Sequence, residues 1–112
     1  MTVVLDDVSA HPGHENVLST KQAILRGKAI VRSLVRKAET IDDIELDEGW
    51  LEATANVDCR ETHEYYLIAF ENHTVDKTLY VLLSTAGKYL RSNFDGHFVD
   101  VAASPYPLED CS

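Results

Sequence analysis

Several groups of residues in this chain have side chains that could do chemistry. His11, His14 and Glu15, with Asp6 and Asp7 upstream, carry donor atoms that a divalent metal would accept. A zinc site wants three or four ligands held rigidly. Here the histidines sit in a Pro12-Gly13 loop and no third ligand follows at a defining interval, so the group reads as a polar surface loop. No metal and no other cofactor is expected. Cys59 and His63 form a thiol and imidazole pair across a turn. Asp58 and Glu61 beside the thiol raise its pKa, which disfavours a nucleophilic thiolate. Asp95, His97 and Asp100 surround one turn, near Tyr66 or Tyr89 if the sheet closes. Carboxylate, imidazole and phenol together could abstract a proton. Asp95 also has a simpler explanation, because Asp-Gly makes the turn. Ala86-Gly87-Lys88 lacks the leading glycine and the following hydroxyl residue of a phosphate loop. There is no CxxC pair, nucleophile elbow or dinucleotide fingerprint, so no catalytic residue is assigned.

Composition narrows the class. The 112 residues are enough for one domain, 1–112, with 45% apolar and 26% charged residues. No run approaches the ~20 apolar residues of a membrane span. The N-terminus lacks the basic and apolar regions of a signal peptide, so a cytoplasmic location is expected. Two cysteines in such a chain are more often free than paired. Asn72-His73-Thr74 matches the glycosylation pattern, and without export the match is fortuitous. The net charge of −9 repels phosphate backbones and makes nucleic acid a poor partner. The charge is unevenly spread. Six of the ten basic residues, Lys21, Arg26, Lys28, Arg32, Arg36 and Lys37, fall within seventeen positions that hold no acid, whereas 39–64 carries ten acids and only Arg60. The simpler expectation is that the two segments face each other and partly neutralise. The alternative is a basic helix face (Lys21, Lys28, Arg32, Arg36) kept for an anionic partner.

The positioning elements follow from periodicity. Residues 1–18 read as an arm broken by Pro12 and Gly13. Ser19 and Gln22 form a capping box that starts a helix over 19–38. Ala23, Ile24, Gly27, Ile30, Val31, Leu34, Val35 and Ala38 fall on one arc, with the basic residues and Leu25 opposite, as in a helix lying on a sheet. Gly27 sits mid-arc and reads as the contact with that sheet. Residues 40–49 are an acidic linker that is either a short strand or a turn. From Trp50 the period is two, with Leu51, Ala53, Ala55 and Val57 inward, which predicts a strand. Strands over 65–70, 79–83 and 89–94 follow, then a return strand over 98–101 after the Asp95-Gly96 turn. Gly87 suits a positive-φ position in the connection before Tyr89. The sheet region thus spans 50–103, and the tail 104–112, with Pro105 and Pro107, is expected to fray.

The fold class is therefore α+β, one long N-terminal amphipathic helix on a four- to five-stranded antiparallel meander. That layout resembles the cystatin-like and nuclear-transport-factor-like architectures, which host enzymes and binding modules alike. Its middle strands are apolar on both faces, and a single helix covers one. The arm and tail look too polar to cover the other. The reading that follows is a binding module that self-associates as a homodimer, or docks a protein partner, through a sheet face including Ile68, Phe70 and Leu82. The alternative is a small-molecule-binding domain or minor enzyme, with a pocket between curled sheet and helix lined by Tyr66, Tyr80, Asp95 and His97.

Overall fold

A computed structural model of the protein describes residues 17–111. The candidate ligands His11, His14, Glu15, Asp6 and Asp7 and most of the arm lie outside those residues. The architecture is α+β, a helix followed by a five-stranded antiparallel sheet. Helix α1 runs Thr20–Arg36. It opens on the expected capping box, in which the Gln22 amide donates to Ser19 Oγ (3.2 Å) and the Ser19 amide donates to Gln22 Oε1 (2.9 Å). It is shorter than the periodicity predicts, because Ala38 takes φ 52° and turns the chain away. The Ala38 and Glu39 amides then donate to the Val35 and Leu34 carbonyls at 3.0 and 2.9 Å, a Schellman closure in which an alanine holds the place glycine usually takes.

Strands β1 (Thr40–Ile41) and β2 (Ile44–Glu45) resolve the acidic linker as a two-residue hairpin. Asp42 and Asp43 both have positive φ, 50° and 67°, as a type I′ turn demands. Aspartate tolerates that region better than most residues, so part of the acidity here serves backbone geometry. The strand expected from Trp50 is instead a short helix, α2 (Gly49–Ala53). Trp50 and Ala53 are buried and Leu51 is exposed, so the inward residues follow an i, i+3 spacing. The alternation of 51–57 was a coincidence of small residues.

The main sheet has the order β6-β5-β4-β3-β7, from β3 (Val57–Glu61), β4 (Tyr65–Asn72), β5 (Lys77–Ser84), β6 (Tyr89–Asn93) and β7 (Glu109–Asp110). Strands β3 to β6 form the meander, and β7 returns from the tail to the free edge of β3. Register pairs Tyr66, Ile68 and Phe70 with Leu83, Val81 and Leu79 on the helix side. There Ala23, Gly27 and Val31 of α1 meet the sheet, joined by Leu46, Trp50 and Ala53. Gly27 is the contact point: a Cβ built there would lie 3.1 Å from Ile68 Cγ2 and 3.3 Å from Ile68 Cβ.

The second face carries the main correction. Leu67 and Leu82 lie on it, and they are covered from within the chain by Phe98, with Val101 and Leu108 packed against the cluster. After the Asp95-Gly96 turn the chain does not return as a strand but forms α3 (Val99–Ala102). Arg91 holds α3 in place, its Nε 2.9 Å from Asp100 Oδ1. The cover comes mainly from Phe98 and Val101, in the segment expected to be a return strand, and the tail adds Leu108 despite its prolines. Ile68, Phe70 and Leu82, expected at an interface, are wholly buried within one protomer. The tail is also tied down: Cys59 and Cys111 form a disulfide instead of remaining free thiols. No helix among the described residues is long and apolar enough to cross a membrane.

Candidate functional site

Alternation along β4 and β5 decides which candidate residues can meet. Tyr66 and Tyr80 are on opposite faces, since Tyr66 pairs with Leu83 on the helix side and Tyr80 pairs with Ala69 on the other. Tyr80 does meet the 93–97 turn, where the Tyr80 ring lies 3.1 to 3.3 Å from the position of a Cβ on Gly96, a residue at φ 77°. That turn is held by side chains. Asn93 Oδ1 accepts from the Gly96 amide (2.8 Å), Asp95 Oδ1 accepts from the His97 amide (2.8 Å), and Asn93 Nδ2 donates to the His97 carbonyl (2.8 Å). Tyr80, Asp95 and His97 are therefore neighbours, with Asp95 occupied in building the turn, and Tyr66 is not among them. The space between α1 and the sheet, where the pocket was expected, is filled by Ala23, Val31, Ile68 and Val81, all fully buried.

The other pairings resolve simply. Cys59 is bonded to Cys111, so it has no thiolate to offer. Asn72 is buried and its Oδ1 accepts from the Thr74 amide at 3.1 Å, which occupies the side chain of the acceptor pattern. The five cations of α1 and Lys37 at its C-cap form no direct ion pair with the acidic segment. Among the described residues the ion pairs involve Arg60, His73 and Arg91, and none involves Lys21, Arg26, Lys28, Arg32, Arg36 or Lys37. Near the end of α1, a depression of about 440 Å³ is lined by Arg32, Val35, Arg36, Glu48 and Leu51. The basic end of α1 and Glu48, the residue before α2, thus border one depression, with Leu51 39% exposed beside them.

A second cleft opens where the turns of the sheet meet the start of α1. It encloses about 310 Å³ and is lined by Glu61, Thr62, His63, Tyr66, Tyr106 and Glu109 together with Val17, Thr85 and Pro107. The β3–β4 turn supplies Thr62 and His63. Thr62 Oγ1 accepts from the Glu64 and Tyr65 amides, both at 3.0 Å, and so fixes the turn. The His63 ring stacks on Tyr106, centroids 4.3 Å apart and planes 13° from parallel. Tyr66 is only 4% exposed, and its hydroxyl donates to the Leu18 carbonyl at 2.6 Å, joining β4 to the entry of α1. Burial first, and then the Glu61 carboxylate, push the Tyr66 phenol above its ordinary value of 10.0, against a smaller opposing pull from the Thr20 side chain. Of this cleft, sequence reasoning had singled out Tyr66 alone as a ligand contact; Tyr106, Pro107 and Glu109 belong to the tail, and only the second cysteine hinted that the tail is anchored.

Residues 1–97 match the family of unknown function DUF6488. The chain belongs to that family. The DUF6488 match takes in α1 through β6, while the second-face cover, β7 and Cys111 lie beyond the matched residues. No curated protein and no solved structure matches the chain.

Proposed function

We propose that this DUF6488 member is a small interaction module that self-associates through the α1–α2 surface. A sheet face is the poorer candidate, because Ile68, Phe70 and Leu82 at the apolar centre of the two faces are buried within the protomer. The observation that carries the reading is a set of α1 cations with no ion pair among the described residues, two of which share a depression with Glu48. Arg32 and Arg36 rim the depression from one side, and Glu48 rims it from the other, with Val35 and Leu51 between. A two-fold contact places the same patch on both copies, so that residue i meets j and j meets i. Arg32 and Arg36 of one copy would then face Glu48 and Glu52 of the other, and each Leu51 would enter the opposite depression. Opposed charges of this kind steer encounter and set register, while the buried leucine supplies the apolar contact.

The test is sedimentation equilibrium of the full chain across ionic strength. A dimer is expected near 50 mM salt that dissociates towards about 500 mM, as charges separated by solvent become screened. A monomer under every condition would end the proposal. So would a dimer indifferent both to salt and to Arg32→Glu/Arg36→Glu.

A further inference from the structure

We propose that the turn-end cleft between β3, β7 and the start of α1 is a binding site for an organic cation, an ammonium or guanidinium group carried on an apolar stem. The inference stands apart from the self-association reading, which concerns the other end of α1. Three features of the cleft support it. Its walls are unlike in chemistry. Glu61 and Glu109 are directly paired across β3 and β7, so two carboxylates are brought to one face of the sheet edge. Like charges placed opposite each other disfavour the pairing unless something offsets them. Neither takes part in an ion pair among the described residues, although Arg60, the neighbour of Glu61, is engaged with Asp58 and Asp110 on the other face. The β3–β7 edge therefore brings two carboxylates, with no ion pair among the described residues, to the wall of a partly open cleft.

The second feature is the aromatic wall. The stacked His63 and Tyr106 rings border the same volume, and a flat aromatic surface attracts a cation placed over its face. The third is Val17, which with the aromatic rings offers apolar surface for an alkyl or aryl stem. At about 310 Å³ the cleft has the capacity of a small amine or of one lysine or arginine side chain, and is near the lower bound for small-ligand pockets. Tyr66 closes the floor, its hydroxyl donating to the Leu18 carbonyl and its phenol oxygen engaged by the Thr20 side chain, so it contributes ring surface and not a hydrogen bond to a ligand. An anion is disfavoured here by both carboxylates. A metal ion is a poorer fit, since no group of three or more His, Cys, Asp or Glu among the described residues is placed to hold one.

The experiment is a two-dimensional amide NMR titration of the full oxidised chain at constant ionic strength with agmatine, with Nα-acetyl-arginine amide, and with 1-pentanol as an uncharged control. Agmatine stands for a free amine, and the arginine amide for a side chain within a peptide. The proposal expects saturable shifts confined to residues around Glu61, His63, Tyr66, Thr85 and Glu109 with at least one of the two cations. It expects affinity to fall about fivefold or more in each of Glu61→Gln and Glu109→Gln, which keep side-chain shape and remove charge. Whichever of agmatine and the arginine amide binds more tightly identifies the source. Equal shifts with 1-pentanol, shifts centred elsewhere, unchanged affinity in both Gln variants, or no saturable shift with either cation would overturn it.

Discussion

Removing the disulfide should be the most informative single perturbation of this fold. Cys59 lies on β3 within the main core, and Cys111 follows β7 directly, at a sequence separation of 52. A cross-link restricts the unfolded chain, and for a closed loop of that length the chain-entropy estimate is about 4 kcal/mol. Unfolding entropy near the midpoint is roughly 2.1 cal/mol/K per residue, or about 0.24 kcal/mol/K for 112 residues. The quotient predicts that Cys59→Ser/Cys111→Ser, or reduction, lowers the melting temperature by about 17 °C. The native state is affected unevenly. Without the bond the tail is held by two strand pairings, one backbone hydrogen bond from Cys111 to Cys59 at 3.3 Å, an exposed Arg60–Asp110 ion pair, the Leu108 contact and the His63–Tyr106 stack. Such an exposed pair contributes little, at most about 1 kcal/mol. The tail should therefore detach before the domain melts. Differential scanning calorimetry with and without a dithiol gives the midpoint. Amide exchange at Glu109, Asp110 and Cys111 reports the local step. An unchanged midpoint with full protection of the tail after reduction would refute both the magnitude and the latch.

Four further outcomes follow from the packing. Ala38→Gly should stabilise the protein by about 1 kcal/mol in urea titrations, because Ala38 occupies the left-handed position of the Schellman closure at φ 52°. Gly27→Val should cost more than about 2 kcal/mol in the same assay, since even one added carbon lies 3.1 Å from the buried Ile68. Ser19→Ala should remove about 1 kcal/mol with loss of the capping bond from the Gln22 amide, seen as faster exchange at that amide. Tyr66 gives a pH signature: its folded pKa is raised, so its contribution is fully present below the unfolded value of 10.0 and is lost as pH climbs through the folded value. Denaturant midpoints measured from pH 9 upward should therefore fall more steeply in the wild type than in Tyr66→Phe.

The parts of the fold that were legible were those governed by one local signal. The capping box placed the start of α1, the apolar arc placed its buried side, and Gly27 marked the closest approach. The two-sided apolar runs located β4 and β5, and Gly87 took the positive φ expected of it, 94°. The misreadings share a cause. In 51–57 small residues satisfied the strand period while Trp50 and Ala53 set a helical one, and the large indole decided the outcome by packing on Phe94, 5.6 Å between ring centroids. At 95–101 the turn residues were recognised but not the destination, because Phe98 and Val101 suit a short helix over the second face as well as a strand. The tail was undervalued for its prolines, although Leu108 completes the cover begun by Phe98 and Val101, and Cys111 secures it. The candidate site suffered from that same judgement: the turn-end cleft needs Tyr106 and Glu109 beside Glu61, and the covalent link that brings them together spans half the chain.

Self-association through α1–α2 is tested most directly by exchanging charges between copies. Two variants, Arg32→Glu/Arg36→Glu and Glu48→Lys/Glu52→Lys, are analysed by sedimentation alone and as an equimolar mixture at low salt. Each alone should be monomeric, because its own patch has become repulsive. The mixture should form a one-to-one pair, since both reciprocal sets are then attractive: the introduced glutamates face the introduced lysines in one, and the native arginines face the native glutamates in the other. If the mixture stays monomeric where the wild type pairs, or if either variant alone pairs as the wild type does, the proposed surface is not the one this protein uses.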